Sequence, residues 1–232
     1  MRKLYVALSA SRDEDNLLDN AWNCFYGNAD GIFIVGSSAE ELLRSVNIVK
    51  SKKKLSGYFV GVNYLGALPS SVARLFENFC VKIDAVWSDN ALIRENGDQS
   101  YAKMIWDSFK KLKSKVKYFG GVAFKYQKRV EPKDYAKIAS ISSHYMDVVT
   151  TSGEGTGIEA EPEKIRVMAQ AIAKEDQYRT LNRDRLAIAS GCSAKNARNY
   201  PGADCFIVAT SLKDKWGNID RGKVQELKGA IA

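Results

Sequence analysis

Apolar residues in this chain come in short, nearly unbroken runs, each followed by a stretch of helical periodicity. The first run is KLYVALS at 3–9. DEDNLLDNAWNCFYG (13–27) follows it, with Leu17, Leu18, Trp22 and Phe25 on one side. GIFIVG (31–36) leads into SSAEELLRSVNIVKSKKK, where Ser38 and Glu41 have the spacing of a capping box. YFVGVNYL (58–65) leads into SSVARLFENFC, and DAVWSD (84–89) into SYAKMIWDSFKKLKSK. KYFGGVAF (117–124) precedes PKDYAKIASISSHY, with Pro132 at the expected helix start. DVVTTS (147–152) precedes EPEKIRVMAQAIAKEDQYRT. RLAIAS (185–190) precedes the short segment AKNARNY, and ADCFIVAT (203–210) precedes DRGKVQELKGA.

The runs recur about every thirty residues, the length of a strand plus a crossover helix. They do not alternate apolar with polar, as expected of parallel strands covered on both faces. Eight such units predict the α/β class and a single (β/α)8 TIM-barrel domain over residues 1–232. An open doubly wound sheet is the alternative, and the equal spacing and the count of eight favour closure. In a closed barrel of this kind the functional residues lie where strands end and loops begin.

The eight strand ends therefore supply the candidate residues. The third offers Asn63 and Tyr64, the fourth Asp89 and Asn90, and the fifth Lys125 and Tyr126. The sixth reads TTSGEGTG, with Ser152, Gly153, Thr156 and Gly157; the seventh has Ser190 and Gly191; the eighth has Thr210 and Ser211. Glycine and small hydroxyl residues let backbone N–H groups turn toward an anion, and barrels often hold a phosphate after strands seven and eight. These residues, with Asn63 and Asn90 as neutral hydrogen-bonding groups, are the phosphate and ligand candidates. Asp89 and Lys125 are the catalytic candidates. A lysine in a dry barrel mouth can shed its proton or form a Schiff base, and the two could pair across the mouth. Trp87, Tyr64 and Tyr126 could line it.

Composition and charge narrow this further. Hydrophobic residues make up 45% of the 232, enough for a sizeable core. No run is long enough for a membrane span, and the apolar part of MRKLYVALSAS is too short for a signal peptide. Cys24, Cys80, Cys192 and Cys205 form no CxxC pair, which predicts reduced thiols in a cytoplasmic protein, with Cys24, Cys80 and Cys205 as small buried hydrophobes. The net charge of +8 suits a phosphorylated small molecule, nucleic acid or an anionic membrane surface alike, of which the phosphorylated small molecule is the expected partner. The lysines at 50–54 and 110–117 read as helix ends that complement the dipole. The absence of RGG, zinc-knuckle and RNP-like motifs disfavours nucleic acid. Neither a Walker motif nor an early GxGxxG is present, and the single histidine, His144, falls late in the fifth helix, away from the mouth. No cofactor is predicted; magnesium between Asp89 and a ligand phosphate stays chemically open, without a ligand cluster to support it. A homo-oligomer is also left open.

VVTTSGEGTG and LAIASGCSAKNARNYPGADCFIVATSLKDKWGNIDRGKVQEL resemble the BtpA family of TIM-barrel proteins, a group of the ribulose-phosphate-binding-barrel type. The resemblance covers roughly the last ninety residues. It rests on Ser152, Gly153, Thr156 and Gly157, then Ser190, Gly191 and Asn196. Further on it rests on Ala203, Asp204, Thr210, Ser211, Leu212 and Lys213, and finally on Ile219, Asp220, Arg221 and Val224. The first half departs from the pattern. VALSASRDE lacks the family's histidine-containing loop, IVGSS lacks its Glu-Asn pair, and its Lys-His pair becomes Lys125-Tyr126. The resemblance thus implies a retained phosphate end and an altered reactive end. The expected function is an enzyme, a lyase, isomerase or transferase, acting on a sugar phosphate or nucleotide. The alternative is a catalytically degenerate barrel that binds a ligand in an assembly or regulatory role.

Overall fold

Each predicted apolar run forms a strand, and the eight strands close on themselves. The computed structural model describes residues 1–113, 115–176 and 185–232. The strands are β1 (Lys3–Ser9), β2 (Gly31–Gly36), β3 (Phe59–Tyr64), β4 (Ala85–Ser88), β5 (Lys117–Gly121), β6 (Val148–Thr151), β7 (Leu186–Ala189) and β8 (Cys205–Val208). Every neighbouring pair is parallel, and β8 returns to pair with β1. The chain has the (β/α)8 TIM-barrel fold.

The helices are α1 (Glu14–Tyr26), α2 (Ala39–Ser51), α3 (Pro69–Asn78), α4 (Ser100–Lys110), α5 (Tyr135–Ser142), α6 (Pro162–Asp176) and α7 (Arg221–Ile231). Of the predicted capping box one half forms: Glu41 N donates to Ser38 Oγ at 3.4 Å, while the Glu41 carboxylate accepts from Arg12 Nε at 2.8 Å. Two expectations need correction. Among the described residues there are seven α-helices rather than eight, because only a 3-10 turn, Ala197–Asn199, lies between β7 and β8. That connection is short and carries Gly191, Pro201 and Gly202, which leave no room for a full helix. The lysines at 110–117 are not one helix end either: α4 stops at Lys110, and Lys117 opens β5. Residue 114, expected in the fourth helix, and residues 177–180, expected in the sixth, lie outside the described residues.

Two apolar clusters form the core. The larger packs the outer faces of the strands against the helices. The smaller fills the barrel, and it is lopsided. Tyr5, Phe33, Phe59, Trp87 and Phe119 crowd the side of β1 to β5, whereas Ala187, Ala189, Cys205 and the upper β1 residue Ala7 face them with little bulk. The aromatic side is mutually packed, with Tyr5 and Phe59 centroids 4.7 Å apart and Phe33 and Phe119 5.1 Å apart.

A repeated aspartate clip closes the N-terminal end of the barrel. Asp30, Asp84, Asp147 and Asp204 stand immediately before β2, β4, β6 and β8. Each carboxylate accepts the backbone N–H of a residue on the preceding strand: Leu4 at 2.7 Å, Val60 at 2.8 Å, Tyr118 at 2.9 Å and Leu186 at 3.0 Å. Each aspartate's own N–H then donates to the carbonyl of that same residue. The reciprocal pair fixes the register of one strand against the next, and a one-residue slip would break both bonds. The clips at Asp84 and Asp30 also hold a cation. Lys50 reaches Asp84 at 2.9 Å, and Lys228 reaches Asp30.

The clip at Asp84 is open to test. Asp84→Ala leaves the Val60 N–H without its carboxylate and the largely buried Lys50 ammonium without its counter-ion, which should cost about 2–4 kcal/mol in urea unfolding. Asp84→Asn keeps an acceptor and should cost less. A loss for the alanine variant below about 0.5 kcal/mol, the range of ordinary surface changes, would show that the clip does not hold the register.

Candidate functional site

At the opposite end, the loops after β6, β7 and β8 fold onto one another. Ser190 takes φ +116 and Gly191 φ +66, so the chain turns sharply as it leaves β7. A non-glycine residue in that region is strained, and such strain persists only where neighbours enforce it. Ser190 Oγ donates to Gly155 O at 3.0 Å and accepts from Gly157 N at 2.9 Å, which ties the β6 loop to the β7 end. Gly191 is needed for a second reason. A Cβ there would sit 2.2 Å from Ile158 O, and one on Gly153 would sit 2.4 Å from the same atom. Ser211 Oγ donates to Cys192 O at 2.6 Å, joining the β8 end to the β7 loop. Asn196 holds that loop from within: its Oδ1 accepts from Ser193 N and its Nδ2 donates to Gly191 O, both at 2.8 Å.

These contacts enclose a cavity of about 320 Å³. Lys125, Thr156, Gly157, Ser190, Gly191, Thr210 and Ser211 line its mouth, and Ala7, Trp87, Ala189 and Ile207 lie within the barrel beneath. Seven residues predicted from four strand ends therefore share one space. Among the described residues, no protein acceptor takes the backbone N–H of Gly191, Cys192 or Ser211. Unpaired amides beside a lysine are what an oxyanion needs.

The other predicted residues lie elsewhere. Asn63, Asp89 and Asn90 line a separate cavity of about 230 Å³ at the ends of β3 and β4. Asn63 Nδ2 donates to Asp89 Oδ1 at 2.9 Å. Burial raises the Asp89 carboxyl above its ordinary value, partly offset by the Asn63 amide and the charge of Lys125. Asp89 and Lys125 do not meet as an ion pair, because Lys125 Nζ donates to Thr156 Oγ1 at 3.3 Å. The Asn90 carboxamide accepts from Leu92 N at 2.9 Å and shapes its own loop. Ser152 and Gly153 line a third cavity of about 180 Å³; Ser152 is buried, and its Oγ accepts from Lys125 N at 2.7 Å. Tyr126 stands largely exposed, with its hydroxyl 3.2 Å from Thr156 Oγ1. His144 follows α5 and pairs with Glu175 at 3.2 Å. Cys24, Cys192 and Cys205 are buried, but Cys80 is exposed, so its reading as a buried hydrophobe does not hold.

Sequence reasoning missed Lys164. It lies in the first turn of α6, where an acidic residue is favoured and a cation opposes the helix dipole. That mismatch was the available signal. The side chain is buried and donates to Ala123 O at 2.5 Å and Ser152 O at 2.8 Å, so it fastens the ends of β5 and β6 together. Desolvation by burial lowers its pKa to about 8, against the pull of the Glu161 and Glu154 carboxylates. Among the described residues no three His, Cys, Asp or Glu side chains gather closely enough to hold a metal ion.

Solved structures share this architecture. The chain superposes on phosphoribosyl anthranilate isomerase from Thermus thermophilus with a TM-score of 0.59 and 14% identity, over 99% of this chain and 98% of that one. It superposes on (S)-3-O-geranylgeranylglyceryl phosphate synthase from Thermoplasma acidophilum, in complex with its substrate sn-glycerol-1-phosphate, with a TM-score of 0.67 and 12% identity, over 99% and 93%. Tryptophan synthase subunit alpha from Legionella pneumophila gives 0.58 and 9%, over 99% and 92%. At these identities the likeness establishes the fold. No protein-family model and no curated protein matches the chain.

The Lys164 ammonium yields a prediction with a definite sign. In the unfolded chain a lysine keeps its proton to about 10.5, whereas the folded protein sheds it near 8. Between those values the unfolded state binds the extra proton, so this residue's contribution shifts toward the folded state as pH rises. The stability of wild type relative to Lys164→Met should therefore climb by about 3 kcal/mol from pH 7 to about pH 10.5. Denaturant titrations of both proteins across that range would measure it. A flat difference would mean that the ammonium is not desolvated.

Proposed function

We propose that this protein is an enzyme acting on a phosphorylated small metabolite, with the phosphate held at the C-terminal rim of the barrel by the loops after β6, β7 and β8. The observation that carries the reading is the shared cavity: Gly191, Cys192 and Ser211 bring amides without protein acceptors to one space lined by the Lys125 ammonium. The hydroxyls of Thr156, Ser190 and Thr210 surround the same space. Lys125 is the proposed amine for proton transfer or nucleophilic attack, and Asp89, whose carboxyl burial raises above its ordinary value, is the proposed acid. A lyase, isomerase or transferase reaction fits this pair. The BtpA-like motif residues Ser152, Gly153, Ser190, Gly191, Thr210 and Ser211 belong to the same three loops. The enzymes it superposes on include one whose substrate is sn-glycerol-1-phosphate, which accords with a phosphate monoester as ligand. A single-domain cytoplasmic protein is part of this reading. Among the described residues no helix is long and apolar enough to cross a membrane.

A second reading, a barrel that binds without turnover, is favoured by one observation. Asp89 turns to Asn63 and lines a different cavity from the unpaired amides. Loss of turnover in Asp89→Asn with phosphate binding retained would decide for the enzyme.

The binding claim is tested at Thr210, which is exposed and so accepts substitution without disturbing the core. Thr210→Asp places a negative charge at the cavity mouth and should weaken inorganic phosphate and sugar phosphates at least tenfold in calorimetry. It should also remove their thermal stabilisation, about 2.7 kcal/mol at a hundred times the dissociation constant for wild type. Equal binding by wild type and variant would place the phosphate elsewhere.

A further inference from the structure

The cavity extends well below the ring of amides, and its inner wall has a definite chemistry. Ala7, Ala189, Ile207 and Ala209 form that wall on the side of β7, β8 and β1. Opposite stands Trp87, at an inward position of β4, packed edge-on against Phe33 at 5.8 Å and Phe124 at 6.1 Å. Trp87 is 7% exposed, and its indole Nε1 is buried without a hydrogen-bond partner. A buried donor without an acceptor is costly, and native proteins carry few of them. The small side chains are the second half of the pattern. Bulk on β2 to β5 fills the barrel from one side, and alanines on the other leave a space that the protein itself does not fill.

We infer that the ligand reaches from the rim into the barrel, where a carbonyl or hydroxyl oxygen of its carbon chain accepts the Trp87 indole N–H. The ligand class is then a small phosphate monoester of an oxygenated carbon chain, a sugar or polyol phosphate. A bare anion would leave the inner space and the indole unused. A large apolar phosphate would bring no acceptor to the indole. Trp87 is a specificity residue in this scheme, while the phosphate is held elsewhere. The inference rests on the phosphate site proposed above and adds what lies beneath it.

The two claims separate in one experiment. Binding of inorganic phosphate, glycerol phosphate and a pentulose phosphate is measured by calorimetry for wild type, Trp87→Phe and Ala7→Val. Trp87→Phe removes the donor and keeps an aromatic ring. Ala7→Val fills part of the inner wall, and it carries the test should Trp87→Phe fail to fold. Wild type should prefer the sugar or polyol phosphate to inorganic phosphate. Each variant should weaken the organic phosphates about tenfold, Trp87→Phe by the loss of one hydrogen bond and Ala7→Val by crowding, and leave inorganic phosphate within about twofold. Unchanged ratios of organic to inorganic phosphate in both variants would overturn the inference and leave the phosphate site standing. Failure of wild type to bind inorganic phosphate or either ester would overturn both.

Discussion

The reciprocal bonds of Asp30, Asp84, Asp147 and Asp204 set the register on which everything at the far end of the barrel depends. Each takes the N–H and donates to the carbonyl of one residue on the preceding strand, so alternate strand pairs are locked at their N-terminal ends. Strands of four to seven residues have little other means of fixing their offset. Because side chains alternate with period two, a shift of one position would turn Trp87 outward and point Val86 into the barrel. The rim loops start from strand ends that these clips have already placed.

With register fixed, the mouth is shaped by close approach and by bulk. Gly153 and Gly191 let the 158–159 segment lie against both loops, and Ser190 joins them through its hydroxyl. The result sets unpaired amides on one side and Lys125 on another. The barrel interior contributes the rest. Aromatic residues fill one half, and Ala7 of β1, Ala187 and Ala189 of β7 and Ala209 just after β8 leave the other half open. In the proposed function, anion recognition and the reactive groups come from different devices: backbone amides for the first, a half-buried carboxylate and a lysine for the second. Lys164 links them, since its ammonium holds the carbonyl of Ser152, whose hydroxyl in turn receives the Lys125 amide.

Much of this was legible from the sequence. The unbroken apolar runs marked all eight strands, because strands covered on both faces have no polar side to show. Small residues at strand ends pointed to a common space, and Lys125, Thr156, Gly157, Ser190, Gly191, Thr210 and Ser211 do share one cavity. The missing helix between β7 and β8 was signalled by Pro201 and Gly202, but overridden by the expectation of a regular repeat. Asp89 was readable as a strand-end carboxylate, whereas its turn toward Asn63 depends on a side-chain rotamer that no spacing encodes. The aspartate clips were visible as an acidic residue just before every second strand, and their meaning appears only once the strands are paired. Lys164 needed the burial of a helix's first turn to be known.

In the proposed function, the loops after β6, β7 and β8 grip an oxyanion through backbone amides. A crystal structure of the protein grown in phosphate or sulfate tests it most directly. A tetrahedral anion should be hydrogen-bonded to the amides of Gly191 and Ser211, within reach of Lys125. An anion bound only on the outer helices, or a cavity that stays free of it at saturating concentration, would contradict it.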